Sequence, residues 1–207
     1  MINITGNDNK ILIDGEMFNG DIPGLSITIH GKNNEISLAK TCIFDNCEII
    51  IGNDNCSINI AENGDLKNVF VRVCFGHGQK LNIGSNFRAW GVKLFLDEDS
   101  GITIGNDCLF SDEIRIWPTD GHSVLDKTSG KVINHCNKNL IIGDHCWIGQ
   151  GVRITKNACI PNNTIVGGGA VVCKKFEKEY TCIAGNPAKC VKENVDWNFI
   201  SPMVLDD

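Results

Sequence analysis

A repeating pattern of apolar residues is clearest between residues 142 and 172, where an aliphatic side chain recurs at every sixth position. A small or β-branched residue stands four positions after each of the first five aliphatic residues. The aliphatic series is Ile142, Ile148, Ile154, Ile160, Val166 and Val172, and the second series is Cys146, Val152, Ala158, Thr164 and Ala170. Six residues fit neither a helical turn of about 3.6 residues nor plain strand alternation. The period predicts a chain that turns a corner every six residues and closes a triangular coil of about eighteen, as in parallel β-helices.

An amphipathic helix is the alternative structure for so regular an apolar series. It would place a proline and five glycines inside the helix, where both residue types are strongly unfavourable. These residues are Pro161, Gly149, Gly151, Gly167, Gly168 and Gly169. The segment therefore favours short strands joined by corners rich in glycine and asparagine.

The N-terminal third carries a looser version of the same pattern. Segments 4–11, 29–36 and 50–58 each read as a strand, a corner with Gly and Asn or Asp, and another strand. The corner glycines Gly6, Gly31 and Gly52 are spaced more widely than one ideal coil, which predicts bulges or loops at the corners. Strands are predicted at 11–13, 26–29, 57–60 and 70–73.

The repeat is interrupted once, between residues 117 and 139. The six-residue step holds from Ile104 to Ile116 and resumes at Leu140. The segment between them contains proline, two glycines, two histidines and several charges. Because solenoids place insertions on one face, often the binding face, we expect a protruding loop with a functional role.

The whole chain is expected to form one all-β domain, a triangular parallel solenoid with a short C-terminal cap. After Val172 the sequence predicts a strand at 180–184, a turn at 185–187 and then a short helix or tail that covers the open end. The predicted divisions are irregular coils over 1–80, regular coils over 81–116 and 140–172, an active-site loop over 117–139, and a cap over 173–207.

Composition narrows the function classes. A formal net charge of −6 without a dense Lys/Arg cluster argues against a nucleic-acid partner. The N-terminal residues lack a basic start followed by an apolar run, and no apolar stretch is long enough to span a membrane. The eleven cysteines are odd in number and form no Cys-x-x-Cys pair. We therefore expect a cytoplasmic protein whose cysteines are mostly reduced and buried.

Three segments carry a resemblance to a known family. They are Trp147-Ile148-Gly149-Gln150-Gly151, the run from Gly167 to Val172, and Ala184-Gly185-Asn186-Pro187-Ala188-Lys189. In combination with the repeat they resemble the hexapeptide-repeat acyltransferases, in particular the sugar O-acetyltransferases that act on surface polysaccharides such as polysialic acid. The similarity is close over residues 80–192 and loose before them. It implies a left-handed β-helix, a homotrimer, acetyl-CoA as donor and a sugar or polysaccharide acceptor.

His122, within Asp120-Gly121-His122-Ser123, is the candidate general base. Acetyl transfer from a thioester to an alcohol requires removal of the hydroxyl proton, which a neutral imidazole can perform near physiological pH. The family keeps a catalytic histidine on such a loop, and His122 occupies that place. Either Asp120 or Asp112 is a candidate to orient the imidazole ring.

Three further side chains are candidates for contact with the ligands. Trp147 is too large for the inside of a corner, so it is expected to point outward, where the family places a tryptophan against donor or acceptor. Trp117 precedes the loop and is a candidate acceptor-side wall, with core or interface packing as the alternative. His145 follows Asp144 at a corner and is a weaker substrate-binding candidate, because a surface corner explains it better.

The resemblance also implies a donor groove along the coils between subunits. The small corner residues Gly149, Gly151, Gly167 and Gly168 would allow backbone amides to approach the donor, although corner geometry alone also requires glycine. One such amide would stabilise the oxyanion. Lysines near the C-terminal end would neutralise phosphates of the CoA nucleotide, the candidates being Lys174, Lys175 and Lys189.

Other chemistries lack their residues. The γ-class carbonic anhydrases share this fold and bind zinc through three histidines, two of them close in sequence, a constellation missing here, so no metal is expected. No phosphate-binding Walker loop is present. Two alternatives to O-acetyl transfer stay open at this point: an amino-sugar N-acetyltransferase, and a non-enzymatic scaffold or glycan-binding module.

Overall fold

Three sheets, here named faces A, B and C, surround one apolar core in the computed structural model, which describes residues 1–135 and 139–200. Face A contains β1 (Ile2–Ile4), β4 (Leu25–Ile29), β7 (Cys47–Ile51), β10 (Val69–Val73), β13 (Val92–Leu96), β16 (Ile114–Ile116), β19 (Arg153–Ile154) and β22 (Val171–Val172). Face B contains β2 (Lys10–Ile13), β3 (Glu16–Met17), β5 (Glu35–Leu38), β8 (Ser57–Ile60), β11 (Lys80–Ile83), β14 (Gly101–Ile104), β17 (Asn139–Ile142) and β20 (Cys159–Ile160). Face C contains β6 (Ile43–Asp45), β9 (Asp65–Lys67), β12 (Arg88–Ala89), β15 (Leu109–Phe110), β18 (Trp147–Ile148), β21 (Thr164–Val166), β23 (Thr181–Ala184) and β24 (Lys189–Glu193).

From β4 to β22 the strands follow the order A, B, C, and they pair in parallel with the equivalent strands of neighbouring coils. On face A, Ile27 pairs with Ile49 and Ile49 with Val71, so equivalent side chains stack directly above one another. The predicted left-handed parallel β-helix is confirmed. So are the strands expected near residues 11–13, 26–29, 57–60 and 70–73.

The core follows from strand alternation, because every second side chain of a strand points to the same side. All six aliphatic residues of the repeat that defines 142–172 are at most 1% exposed. The corners turn through residues with positive φ, such as Asn33 (56°) and Asn55 (60°), whose side chains hydrogen-bond to each other at 2.7 Å. Asparagine tolerates this left-handed conformation better than most residues, which explains its frequency at the corners.

The length of a coil changes at the loop. Before it, equivalent residues of face A lie 22 to 25 positions apart, 22 for the pair Ile27 and Ile49, and four of the six face A strands have five residues. After it, Ile154 pairs with Val172, 18 positions later, and the face A strands shorten to two residues. The exact hexapeptide geometry therefore belongs to the coils after the loop.

Each end of the solenoid carries one antiparallel strand. At the N-terminal end β3 pairs antiparallel with β2, and at the other end β24 pairs antiparallel with β23. The strand predicted near 180–184 is present as β23, but the helix offered as one continuation is not: no helix occurs among residues 1–135 and 139–200. Residues 136–138 of the predicted loop and 201–207 of the predicted cap lie outside the described residues.

The cysteines differ in exposure. Among the ten described cysteines, all of them free thiols, four are buried, four are half-buried, and Cys173 and Cys190 are exposed, so full burial is limited to four of them. Burial raises the pKa of Cys47 and Cys56, which keeps these thiols protonated. Over the part of the chain that the structure describes, no helix is long and apolar enough to cross a membrane.

Candidate active site

The loop leaves face A after β16 and returns to face B at β17, so it projects from the edge between these faces. Its two arms form a short antiparallel ladder. Ile133 donates its backbone N–H to the carbonyl of Val124 at 2.9 Å, and Asp126 donates to Lys131 at 2.8 Å. The tip side chains are exposed, so the loop is held by its own hydrogen bonds and not by an apolar core.

Asn134 ties the two arms together at the base of the loop. Its Nδ2 donates to the backbone carbonyl of His122 and to Oδ2 of Asp120, both at 2.8 Å, while its Oδ1 accepts from the N–H of Val124. Lys156, on the following coil, donates from Nζ to the same carboxylate oxygen of Asp120 and to the carbonyl of Asn134 at 3.4 Å. The main chain around His122 is therefore anchored to the solenoid.

The charge state of Asp120 follows from this tie. The Lys156 ammonium, and after it the Asn134 amide, hold the pKa of Asp120 below its ordinary value. The lowered pKa leaves the carboxylate charged at neutral pH, where its ion pair with the Lys156 ammonium is intact. Neither Lys156 nor Asn134 was indicated by the sequence, because no local motif marks two residues that meet only after the loop folds back.

His122 lines a surface cleft of about 330 Å³ on the loop. The cleft is also lined by Glu98, Asp120, Ser123, Val132, Asn134 and His135. Among the described residues no carboxylate is hydrogen-bonded to the His122 ring: Asp120 is engaged with Lys156 and Asn134, and Asp112 accepts from the N–H of Glu113 at another corner. The structure thus places Asp120 beside His122 as an anchor of the loop, and Asp112 away from it.

Trp147 lies on face C and is 38% exposed, in agreement with an outward-pointing indole. It approaches Trp197 of the C-terminal segment, with ring centroids 6.2 Å apart. Trp197 also contacts the rings of His145 and Phe199. The His145 ring stacks on it at 4.6 Å, and Nε2 of His145 lies 3.2 Å from Asp196. His145 is therefore packed beneath the cap, and the cap brings it next to Trp147.

Trp117 lies at the base of the loop on the outer side of face A. It stacks on Phe95 with centroids 4.5 Å apart and planes inclined by 17°. Arg72 covers the Phe95 ring at 4.9 Å. Trp117 is half-buried in this surface stack, which leaves part of the indole open to a ligand.

The four candidate glycines lie at the corner between faces C and A. Three of their amides already donate to neighbouring coils: Gly149 to Val166, Gly151 to Asp112 and Gly167 to Ile183. Only the amide of Gly168 has no such backbone acceptor among the described residues. A Cβ on Gly149 would lie 2.8 Å from the nitrogen of Gly168, so close approach of two coils requires glycine there.

The candidate lysines follow the last complete coil. Lys174 lies over the ring of Phe176 at 5.1 Å, Lys175 pairs with Glu177 at 3.1 Å, and Lys189 opens β24. All three are exposed. The candidates thus form three groups: the loop cleft between faces A and B, the aromatic cluster on face C, and the glycine corner with the lysines beyond it.

Clusters of side chains that could bind a metal are not found in the described part of the chain. Within residues 1–135 and 139–200 no group of three or more His, Cys, Asp or Glu side chains could hold a metal ion. What the arrangement does provide is an exposed imidazole on an anchored loop and an exposed indole on a neighbouring face. These are groups that can accept a proton and position an organic ligand.

Comparison with known proteins gives a consistent result. No family model matches the chain. A polysialic acid O-acetyltransferase of Neisseria meningitidis is 36% identical over 172 residues, which cover 83% of this chain and 78% of that protein. The crystal structure of the polySia specific acetyltransferase NeuO matches with a TM-score of 0.85 and 25% identity over 100% of this chain and 93% of the other. The polysialic acid O-acetyltransferase OatWY matches with a TM-score of 0.76 and 29% identity, over 100% and 96% of the two chains.

Proposed function

The chain belongs to the hexapeptide-repeat O-acetyltransferases that include the polysialic acid O-acetyltransferases, and from this premise we propose that it transfers acetyl from acetyl-CoA to a hydroxyl of a sialic acid polymer or another surface polysaccharide. O-acetyl transfer itself is the activity of the family. The donor, the acceptor sugar and the roles of individual residues are the proposal. The observation that carries it is the anchored loop that presents His122 to an open cleft.

His122 acts as general base in this proposal. The acceptor hydroxyl attacks the thioester carbonyl carbon while the imidazole removes the hydroxyl proton, so that a C–O bond forms and the C–S bond breaks. The same proton then passes from the imidazolium to the departing thiolate. Asn134 serves this step through the His122 backbone, because it fixes the main chain from which the imidazole extends.

The acetyl donor is assigned to the surface between face C and the glycine corner. Because the His122 loop leaves the edge between faces A and B of the same chain, the loop that meets this corner is that of a neighbouring subunit in the proposed trimer. Trp147 offers a flat exposed ring for the pantetheine arm or the sugar, and the free amide of Gly168 is the candidate donor of a hydrogen bond to the developing oxyanion. Lys174 and Lys189 are exposed and would pair with the phosphates of the donor. Trp117 is assigned to the acceptor side and His145 to support of Trp147 through Trp197.

Membership of this family is also the basis for proposing a homotrimer. The outer surface of face B is flat and free of charge at Asn59, Asn82 and Thr103, which are exposed and stack on successive coils. Ile141 continues this row and is 45% exposed. Such a surface suits contact with a second copy of the chain. For the compartment, the free thiols of the chain suit the reducing cytoplasm. Light scattering after size exclusion tests the trimer directly.

The activity is tested by release of CoA thiol in the presence of acetyl-CoA and polysialic acid. His122→Ala should reduce turnover by a factor of about 10² to 10⁴, the usual contribution of a general base. His77→Ala, a change of the same kind at an exposed histidine outside the loop, is the matched control and should retain activity. Full turnover by an intact His122→Ala trimer would remove the general-base role.

The same assay separates the remaining alternatives. An amino-sugar acceptor that is consumed in place of hydroxyl acceptors would establish N-acetyl transfer. No thiol release with any acceptor, from a protein that still binds polysaccharide, would establish a glycan-binding module.

A further inference from the structure

The outer surface of face A carries a row of cations that the reaction does not use. Lys93 of β13 pairs in register with Arg115 of β16, and Arg115 pairs with Arg153 of β19. Paired residues of parallel strands point to the same side of the sheet, and neighbouring strands lie about 4.8 Å apart. These three residues, here called the basic row, therefore form an evenly spaced line along the solenoid axis.

The basic row is open to solvent and lacks partners. All three side chains are exposed, and among residues 1–135 and 139–200 no salt bridge reaches any of them. They line a groove of about 490 Å³ together with the carboxylates of Asp112 and Glu113 and with Gly151 of the glycine corner. Two of the four arginines of the chain lie in this row, although the net charge is −6.

An aromatic surface runs beside the basic row on the same face. Phe95 and Trp117 stack at 4.5 Å, and Phe70 meets Phe95 edge-on at 6.1 Å. Arg72 lies over Phe95 and forms a 3.7 Å ion pair with Asp97. Aromatic rings and cations thus lie close together on the outer surface of face A.

We propose that this part of face A binds a segment of a linear acidic polysaccharide, laid along the solenoid axis and outside the catalytic cleft. The choice of a sugar polymer rests on the proposed function. Guanidinium groups match carboxylates in geometry and charge, and aromatic rings cover the apolar faces of sugar rings. A line of regularly spaced cations suits a chain of regularly repeated anions better than it suits a compact ligand.

A polymer acceptor can contact this molecule at two separate surfaces. An exposed loop cleft contacts one acceptor unit, whereas a separate surface on the same molecule retains the chain between encounters. Two linked contacts increase the apparent affinity without any new contact at the cleft. Nucleic acid would also be attracted by cations, but the acidic chain lacks the wide basic surface that nucleic-acid binders use.

The test measures binding of polysialic acid in the absence of acetyl donor, so that the result does not depend on catalysis. The variant is Lys93→Gln/Arg115→Gln/Arg153→Gln, and the matched control is Lys32→Gln/Lys40→Gln/Lys192→Gln, three exposed lysines outside the strands of faces A and B. Exposed charge contacts are individually weak, so the loss of all three should lower affinity about tenfold. The dependence of binding on salt should become shallower for the first variant alone. Melting curves of both variants establish that they are folded.

Five outcomes are informative. Loss of polysialic acid binding by the basic-row variant only, with neutral dextran and single-stranded RNA bound weakly by the wild type, supports the proposal. Equal binding by variant and wild type overturns it, and so does equally tight binding of RNA, which would mark a general polyanion surface. Reduced affinity for acetyl-CoA in the basic-row variant would assign the row to the donor groove and also overturn it. A wild type that binds polysialic acid through the row but transfers no acetyl group would sink the proposed function and leave this inference standing.

Discussion

The coils before the loop and the coils after it solve the same folding problem with different lengths of chain. Before the loop, a coil takes 22 residues between Ile27 and Ile49, and its face A strand holds three inward side chains. After it, a coil takes 18 residues between Ile154 and Val172, and the face A strand holds one. The longer coils therefore enclose more apolar volume per turn, while the shorter ones are made largely of corners.

The difference separates two tasks. Most of the large buried residues lie before the loop, whereas the candidate site residues other than Asp112 lie within the loop or after it. Because burial of apolar side chains is the main source of stability, the long coils should dominate the free energy of unfolding and the short coils the chemistry.

The largest expected effect is in the core of the long coils. Phe87 is fully buried and meets Phe110 edge-on at 4.9 Å. Phe87→Ala should lower the free energy of unfolding by about 3–5 kcal/mol, because it removes a ring and leaves a cavity. Chemical denaturation measures the change. Phe75→Ala removes the same atoms from a side chain that is 73% exposed and should cost less than about 1 kcal/mol; equal losses in the two variants would contradict the comparison.

A smaller effect is expected at the corners. A Cβ on Gly143, in the short coils, would lie 2.6 Å from the backbone nitrogen of Asn162, whereas one on Gly52, in the long coils, meets nothing closer than 3.5 Å. Gly143→Ala should therefore destabilise by about 1–3 kcal/mol, the range for overpacking, and Gly52→Ala should be close to neutral. Thermal unfolding compares them. Gly31, in the long coils, is also packed tightly, because an added Cβ would meet the backbone carbonyl of Asn53. A loss of stability in Gly31→Ala similar to that in Gly143→Ala would show that corner contacts, and not coil length, set the cost in stability.

The smallest effect concerns the pH dependence of the loop. Lys156 and Asn134 lower the pKa of Asp120, so the stability from this tie is present above the ordinary carboxyl value and is lost only as pH falls through the lowered value. Between pH 5 and 8 the tie is constant, and a histidine is the group expected to titrate there. Asp120→Asn should reduce acetyl transfer by roughly a few-fold at every pH, because exposed ion pairs contribute little energy. The acidic limb of the pH–rate profile should not shift. A shifted limb in the pH–rate profile would show that Asp120 acts on the proton transfer itself.

Much of the architecture was predictable because its cause is local. The six-residue period from Ile142 to Val172 is visible without knowledge of any distant contact, and it sufficed for the triangular solenoid. The outward position of Trp147 followed from its size. The role proposed for His122 came from the family resemblance and the loop together.

The remaining features depend on long-range pairing. Lys156 meets Asp120 only because the loop returns to the coil that carries Lys156. The basic row is hidden in the sequence, since Arg115 follows Lys93 by 22 positions and Arg153 follows Arg115 by 38, an irregularity caused by the loop. Trp197 reaches His145 from a segment with no repeat at all.

The reversed strands at the two ends of the solenoid bear on how the protein can assemble. A stack of parallel rungs is a template that another molecule could extend indefinitely if all three edges offered matching strand direction. Here β3 on one end and β24 on the other run against their neighbours, so on one face of each end an incoming rung would meet the wrong polarity. Growth into fibrils along the axis is thereby opposed, and the sides of the prism are left as the surfaces through which copies can associate.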